Sequence, residues 1–203
     1  MPFKANISPG YLWRLALVAA LCLFMAGWFL FDGLWTYPRQ RVRALEYQRL
    51  KAEDRLGEWK SMAQEHGWPA DDPGEPKTQA QTITQLVFAG LLTPPGLIFL
   101  FRFLRMRKRW VESTETGLRT SWGRQLLFNQ ITALNKRQWD KKGIAKVVYR
   151  QDGRTRRLVL DDWKFETAPT KSILREVESH IDVEQIVGGA PELPEECERH
   201  ICG

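Results

Sequence analysis

Two stretches without a single charged residue, 15–31 and 83–101, constrain this 203-residue chain more than any other feature. The first, LALVAALCLFMAGWFLF, has 17 residues. As a helix it would rise about 26 Å, close to the hydrocarbon thickness of a bilayer. Nine of its side chains are Leu, Val or Phe, each favouring insertion by roughly 0.3–0.6 kcal/mol near the helix centre. Tyr11 and Trp13 precede it and Trp35 and Tyr37 follow it, at the depth where aromatic rings favour the headgroup level. Arg14 and Asp32 bracket the run. The second stretch carries Thr93-Pro94-Pro95-Gly96 at its middle. Two prolines withhold two backbone donors, so a kinked or broken helix is expected there, either a plain kink or a packing notch for the first span or a partner helix. The averages of 43% hydrophobic and 27% charged residues exclude a collagen, a disordered chain and a disulfide-rich toxin. They conceal the segregation that matters.

With a second span downstream, the first run reads as an anchor rather than a cleaved signal. A lipoprotein signal is excluded because Leu21 precedes Cys22, where a small residue is needed. Charge sets the expected orientation. Arg102, Arg105, Arg107, Lys108 and Arg109 follow the second span directly, whereas 36–82 holds eight basic and eight acidic residues. The basic flank stays in the cytoplasm under the positive-inside rule. The expectation is a transmembrane hairpin in the cell inner (plasma) membrane with both termini cytoplasmic. The same five residues are expected to contact anionic headgroups, at about 1 kcal/mol per basic residue near the surface.

Between the spans, 38–66 predicts one amphipathic helix, opened by Pro38 and stopped by Gly67 and Pro69. Val42, Leu45, Ala52, Leu56, Trp59 and Ala63 recur at helical spacing, and Leu56 and Trp59 are candidates to face a partner. Residues 68–80 read as an irregular Pro/acid-rich return linker. The domains expected are 1–37, N-terminus and first span; 38–82, extracytoplasmic helix and linker; 83–104, second span; 105–183, a cytoplasmic unit; and 184–203, an acidic flexible tail.

The cytoplasmic unit is strongly basic: residues 102–175 hold 19 basic and 7 acidic side chains, and 176–203 hold 1 and 8. Its pattern is β-like. Trp110 to Thr114 and Leu118 to Trp122 flank a Glu115-Thr116-Gly117 turn. Residues 144–149 and 157–160 flank Asp152-Gly153, a strong two-residue hairpin signal. Residues 131–139 and Trp163-Lys164-Phe165 supply further extended candidates. Ile173, Leu174, Val177 and Ile181 then form the apolar face of a closing helix. Arg154, Arg156, Arg157, Lys141 and Lys142 extend the positive surface.

Residues 110–181 resemble the bacterial pleckstrin-homology-like (PH-like) domains that follow a transmembrane hairpin in many membrane proteins. The resemblance rests on Thr116-Gly117-Leu118, the segment 128–131 (FNQI), the segment 138–144 (QWDKKGI), the segment 160–164 (LDDWK) and the final helix. It implies a small, seven-stranded, strongly bent β-barrel capped by a C-terminal helix, used for binding and scaffolding, with no catalytic residues to carry over. Lipid-reading pleckstrin domains cluster Lys and Arg on the first hairpin, where this chain has Glu112 and Glu115.

Reactive constellations are sparse. There is no glycine-rich phosphate loop and no metal-spaced Cys/His set. Asp161-Asp162 reads as a turn, and Cys197, His200 and Cys202 as part of the flexible tail. His66 and His180 fall on opposite sides of the bilayer under the expected topology. The sequence therefore reads as an α+β membrane protein, non-catalytic and without cofactor or metal. It would display a binding or scaffold module to a protein partner, and nucleic acid is not expected as a ligand. The alternative is an accessory structural subunit of a larger membrane complex. A further expectation is that the acidic tail folds back on the basic unit.

Overall fold

The computed structural model describes residues 2–192, so Cys197, His200 and Cys202 lie outside the described residues. The chain divides into two compact units, one of them Ala16–Leu100 and the other formed by the residues on either side of it.

The helical unit is built on two long helices. Helix α1 (Pro9–Phe31) runs through a π-helical turn (Asp32–Thr36) into α2 (Tyr37–Ala52). Together they make one uninterrupted helix of 44 residues, long and apolar enough to cross a membrane. The helix runs on through residue 37. Pro38 would clash with the carbonyl four residues back in a regular helix. The π turn ahead of it widens the ladder, with the Tyr37 N–H donating five residues back to Asp32 O. The second membrane-length helix, α4 (Gln79–Met106), is likewise continuous, with Pro94 and Pro95 inside it. The expected break into halves does not occur.

The interior of this unit is made of small residues. Ala19, Ala26 and Gly33 recur at seven-residue intervals and are buried, as are Ala89 and Gly96 on α4. An added Cβ on Gly33 would meet Leu86 Cδ2 at 2.8 Å, and one on Gly96 would meet Leu23 Cγ at 2.8 Å. Each glycine thus receives a leucine of the facing helix, and Gly96 is the last residue of the Thr93-Pro94-Pro95-Gly96 segment. Phe29 and Phe88 add a tilted ring pair at 5.5 Å. Gln85 Nε2 donates to Tyr37 Oη at 3.1 Å.

The helix expected over 38–66 is broken. At its C-terminus α2 closes with a reversed turn in which Asp54 takes φ 57 and Arg55 N–H donates to Leu50 O at 2.8 Å. Aspartate tolerates this left-handed conformation better than most side chains. The chain then forms a 3-10 turn (Leu56–Glu58) and α3 (Trp59–Glu65), which ends the same way at Gly67, φ 66, with Trp68 N–H donating to Ala63 O at 2.7 Å. The reversal folds Trp59 inward. It is 5% exposed, packs edge-on against Tyr47 and beside Trp68, and donates its indole N–H to Ala70 O. Arg43 Nη2 clips the irregular return segment through Pro69 O, Asp71 O and Asp71 Oδ1, at 2.8–3.0 Å.

The other unit is a pair of four-stranded sheets. Strands β1 (Lys4–Asn6), β2 (Trp110–Thr114), β3 (Gly117–Thr120) and β4 (Gln125–Leu127) pair in that order, all antiparallel. The second sheet has the order β7-β6-β5-β8, from β5 (Ile131–Gln138), β6 (Ile144–Gln151), β7 (Arg154–Asp161) and β8 (Ile186–Val187). A short helix α5 (Trp139–Lys142) joins β5 to β6, and α6 (Thr167–Ser179) follows β7. Among the described residues the strands form two separate sheets and no closed barrel. The β6–β7 turn is Asp152-Gly153 with φ 53 and 71, as that dipeptide predicts. Alternation puts Ala145, Val147 and Tyr149 of β6 in the core with Leu134, Leu158 and Leu160. The buried stripe of α6, Ile173, Leu174 and Val177, is fully covered. Trp163-Lys164-Phe165 is a turn rather than a strand, with an isolated Ile7–Phe165 bridge.

Two strands lie outside the boundaries expected for this unit. Strand β1 precedes the first long helix yet pairs with β2 after the second, Ala5 opposite Val111. The helical unit is thus an insertion in a β1–β2 hairpin. At the other end, residues 183–192 are docked rather than a free tail. Strand β8 runs parallel to β5, and Gln185 Nε2 donates to Ile131 O. The Lys136 ammonium, 2% exposed as a residue, sits 2.7 Å from Glu178 Oε1 and 3.1 Å from Glu192 Oε1 and donates to Ala190 O at 2.6 Å.

Candidate functional site

The basic residues expected as a collar occupy the end of α4 and the turn after it. Arg102 and Arg105 are exposed on the last turns of the helix, Arg107 and Lys108 are exposed beyond it, and Arg109 is half-buried. Only three residues separate the helix from β2, so the collar is held against the sheet unit.

The fold adds side chains to this collar that lie far away in sequence. A cleft of about 740 Å³ is lined by Arg102, Arg105, Arg109, Arg124, Arg157 and Lys164, over apolar groups that include Phe101, Trp122 and Phe165. The β3–β4 turn presents Arg124. It closes through Thr120 N–H to Arg124 O at 2.9 Å and Arg124 N–H to Thr120 Oγ1 at 3.0 Å, and Gly123 takes φ 81. Arg124 Nη1 donates to the Arg157 carbonyl at 2.8 Å, which sets two guanidinium-bearing residues side by side. The Arg109 guanidinium lies 5.3 Å above the Trp122 ring, whose other neighbour is Phe165 at 6.5 Å. Among the described residues, Lys164 alone of these six has a carboxylate partner, Asp161 Oδ2.

The acidic pair stands where β7 passes into a turn, with Asp161 the last strand residue and Asp162 the first of the turn. Asp161 Oδ1 accepts the backbone N–H groups of Trp163 and Lys164, both at 3.2 Å. Asp162 leans over Gly143, where φ is 62 and a Cβ would collide with the carboxylate. Burial, and then the charge of Asp161, raises the Asp162 carboxyl above its ordinary value, partly offset by Lys171. Next to this turn, Lys141, Lys142, Tyr11 and Trp163 line a second cleft of about 650 Å³. Trp163 is 64% exposed, with the Arg14 guanidinium 4.8 Å from its ring.

Other expected sites fare differently. Leu56 is exposed, as a partner-facing residue must be, but Trp59 belongs to the aromatic core of its own unit. Of the expected stripe, Val42 and Leu45 point outward and Ala63 is covered, while Ala44 and Leu50, which lie off the stripe, are buried. His66 stacks on Trp68 and His180 on Phe128, in different units. Glu112 pairs across the first hairpin with Arg119 at 2.8 Å. Among the described residues no three His, Cys, Asp or Glu side chains gather as a metal site. Sequence reading missed Arg124 and Lys164 because nothing local distinguishes them from the other basic residues of 102–175. Comparison of the chain with models of protein families, with curated proteins and with solved structures gives no match.

Proposed function

We propose that the chain is a two-pass integral membrane protein that holds a non-catalytic, PH-like binding module against the cytoplasmic face of the plasma membrane. One observation carries the reading, the inverted exposure of the long helices. Trp28, Phe31 and Leu21 on α1 and Leu91, Ile98 and Phe101 on α4 are each more than half exposed, while alanine and glycine fill the interior. Only 17% and 11% of the most apolar windows are buried. In water every exposed apolar Å² forgoes about 25 cal/mol, a cost that hydrocarbon removes. The β1–β2 pairing supports a shared side for both ends of the helical insertion, because Asn6 and Trp110 are paired neighbours. The collar of Arg102, Arg105, Arg107, Lys108 and Arg109 favours the cytoplasm as that side. Seven antiparallel strands in two meanders followed by an amphipathic helix suit a PH-like module whose partners are anionic headgroups and a protein.

Val42, Leu45 and Leu56 on the outer helices favour a second reading, in which the chain is an accessory subunit of a larger membrane complex. Alkaline carbonate extraction tests the membrane assignment, and release of the chain into the supernatant defeats it. A secreted reporter enzyme should be active when fused at Gly74 and silent when fused at Gly203; the reverse pattern defeats the orientation. In mild detergent a free monomer or homodimer supports the leading reading, and a stoichiometric complex the second.

A further inference from the structure

The cleft at the root of α4 holds six cationic side chains against one carboxylate, and Lys164 already engages that carboxylate. Among the described residues, Arg102, Arg105, Arg109, Arg124 and Arg157 form no ion pair. Guanidinium groups gathered without counter-charge repel one another, and their planar forks match the paired oxygens of a phosphate. Arg124 is preset for this by its bond to the Arg157 carbonyl, so little side-chain freedom is lost on binding. The lining is apolar as well as basic. Trp122 stacks on Phe165 with the Arg109 guanidinium over its ring, and Phe101, 62% exposed, forms an edge where the uncharged part of α4 begins. A free phosphate or an acidic peptide would use the cations and leave the Phe101 edge bare. An amphiphile uses both.

We propose that this cleft is a one-to-one site for an anionic glycerophospholipid, with the phosphodiester held by Arg109, Arg124 and Arg157 and the acyl chains leaving past Phe101. The inference rests on the membrane reading and goes beyond it. A diffuse basic collar attracts any number of anionic lipids, whereas this cleft retains one.

The test is native mass spectrometry of the full chain in detergent micelles titrated with dioctanoyl phosphatidylglycerol. One lipid per chain should bind saturably, and dioctanoyl phosphatidylcholine should bind at least tenfold more weakly. Each arginine near a headgroup contributes about a fivefold factor, so Arg124→Gln with Arg157→Gln should weaken binding by roughly 25-fold. Arg105→Gln, at an exposed helix position, should cost about fivefold and does not depend on the fold of the turn. Arg154→Gln with Arg156→Gln, on the neighbouring hairpin, should change binding less than twofold. Equal affinity for phosphatidylcholine, non-saturating uptake of many lipids, or equal loss from the Arg154/Arg156 pair would overturn the site. Displacement of the lipid by equimolar inorganic phosphate would make it a small-anion site, and displacement by a polyglutamate peptide would make it a protein-docking site. Either result rejects the lipid. A chain that resists carbonate extraction yet retains no lipid sinks this proposal alone, whereas a chain that washes off sinks the membrane reading with it.

Discussion

The two units solve the packing problem in opposite ways. The sheet unit buries its large side chains: Leu134, Val147, Tyr149, Ile173, Leu174 and Val177 are fully covered. The helical unit turns leucine, phenylalanine and tryptophan outward and keeps Ala19, Ala26, Gly33, Ala89 and Gly96 within. Burial of apolar area drives the first arrangement in water. It offers no such drive in lipid, where close approach of small residues and the fit of a few leucines must hold helices together. The contrast teaches that the same hydrophobic alphabet is read with opposite sign on the two sides of residues 15 and 101, which is what the proposed bilayer around the helical unit would require.

The largest effect that tests this contrast is expected at the charge inside the sheet unit. Lys136→Ala leaves Glu178 buried without its cation and should cost about 3–5 kcal/mol in a urea titration of the full chain in micelles. Replacing both partners, Lys136→Met with Glu178→Gln, should recover most of that loss. A cost below about 1 kcal/mol for the single change would mean that the 183–192 segment is not fastened as described.

Next comes a matched pair of truncations. Leu174→Ala in the covered face of α6 should cost about 2–5 kcal/mol, whereas Leu21→Ala, 61% exposed on α1, should stay within about 0.5 kcal/mol in a bilayer. Comparable costs at the two sites would erase the distinction between the units.

The glycine contacts sharpen the comparison within the helices. Gly96→Leu forces a side chain into Leu23 and should destabilise helix pairing by about 1–3 kcal/mol, while Gly90→Leu, with nothing within 4 Å of its added Cβ, should be silent. Spin-label distances between α1 and α4 would read the difference, and equal broadening in both variants would discard the notch.

The smallest effect is a divergence in pH response. Hydrogen bonds first, from Arg49 and Arg55 to Glu53 and from Arg55 to Glu58, hold these two carboxyls below their ordinary value. Their contribution is present above the ordinary carboxylate pKa and is lost as pH falls through the depressed folded values. Asp162 behaves oppositely. Its raised pKa means that stability falls as pH rises from its ordinary value through the folded one. Carboxyl-carbon NMR titration should place the midpoints of Glu53 and Glu58 below the usual range and that of Asp162 above it; the opposite order would contradict the geometry at Gly143 and Arg55.

Legibility from sequence followed the range of the interactions. Both long helices, the Asp152-Gly153 turn and the covered stripe of α6 are local patterns, and they were readable. The π turn ahead of Pro38 and the reversal at Asp54 were not, since each is a backbone adjustment that several residue types allow. Trp59 is not legible as a core residue because a helical stripe does not reveal that the helix turns back on itself five residues earlier, at Asp54. Of the candidate cleft, the Arg102–Arg109 side was visible as a charge run. Arg124 and Lys164 join it through the β3–β4 turn and the turn after β7.

Hydropathy and charge order along the chain determine, without any coordinates, that two stretches are long and apolar enough to cross a membrane and that arginine crowds the end of the second, because transfer energies add residue by residue. Only the tertiary structure decides that Lys4–Asn6 pairs with a strand more than a hundred residues away, making the helical unit an insertion in a hairpin. Strand pairing is a contact between distant backbones, and three residues carry no side-chain pattern that names their partner.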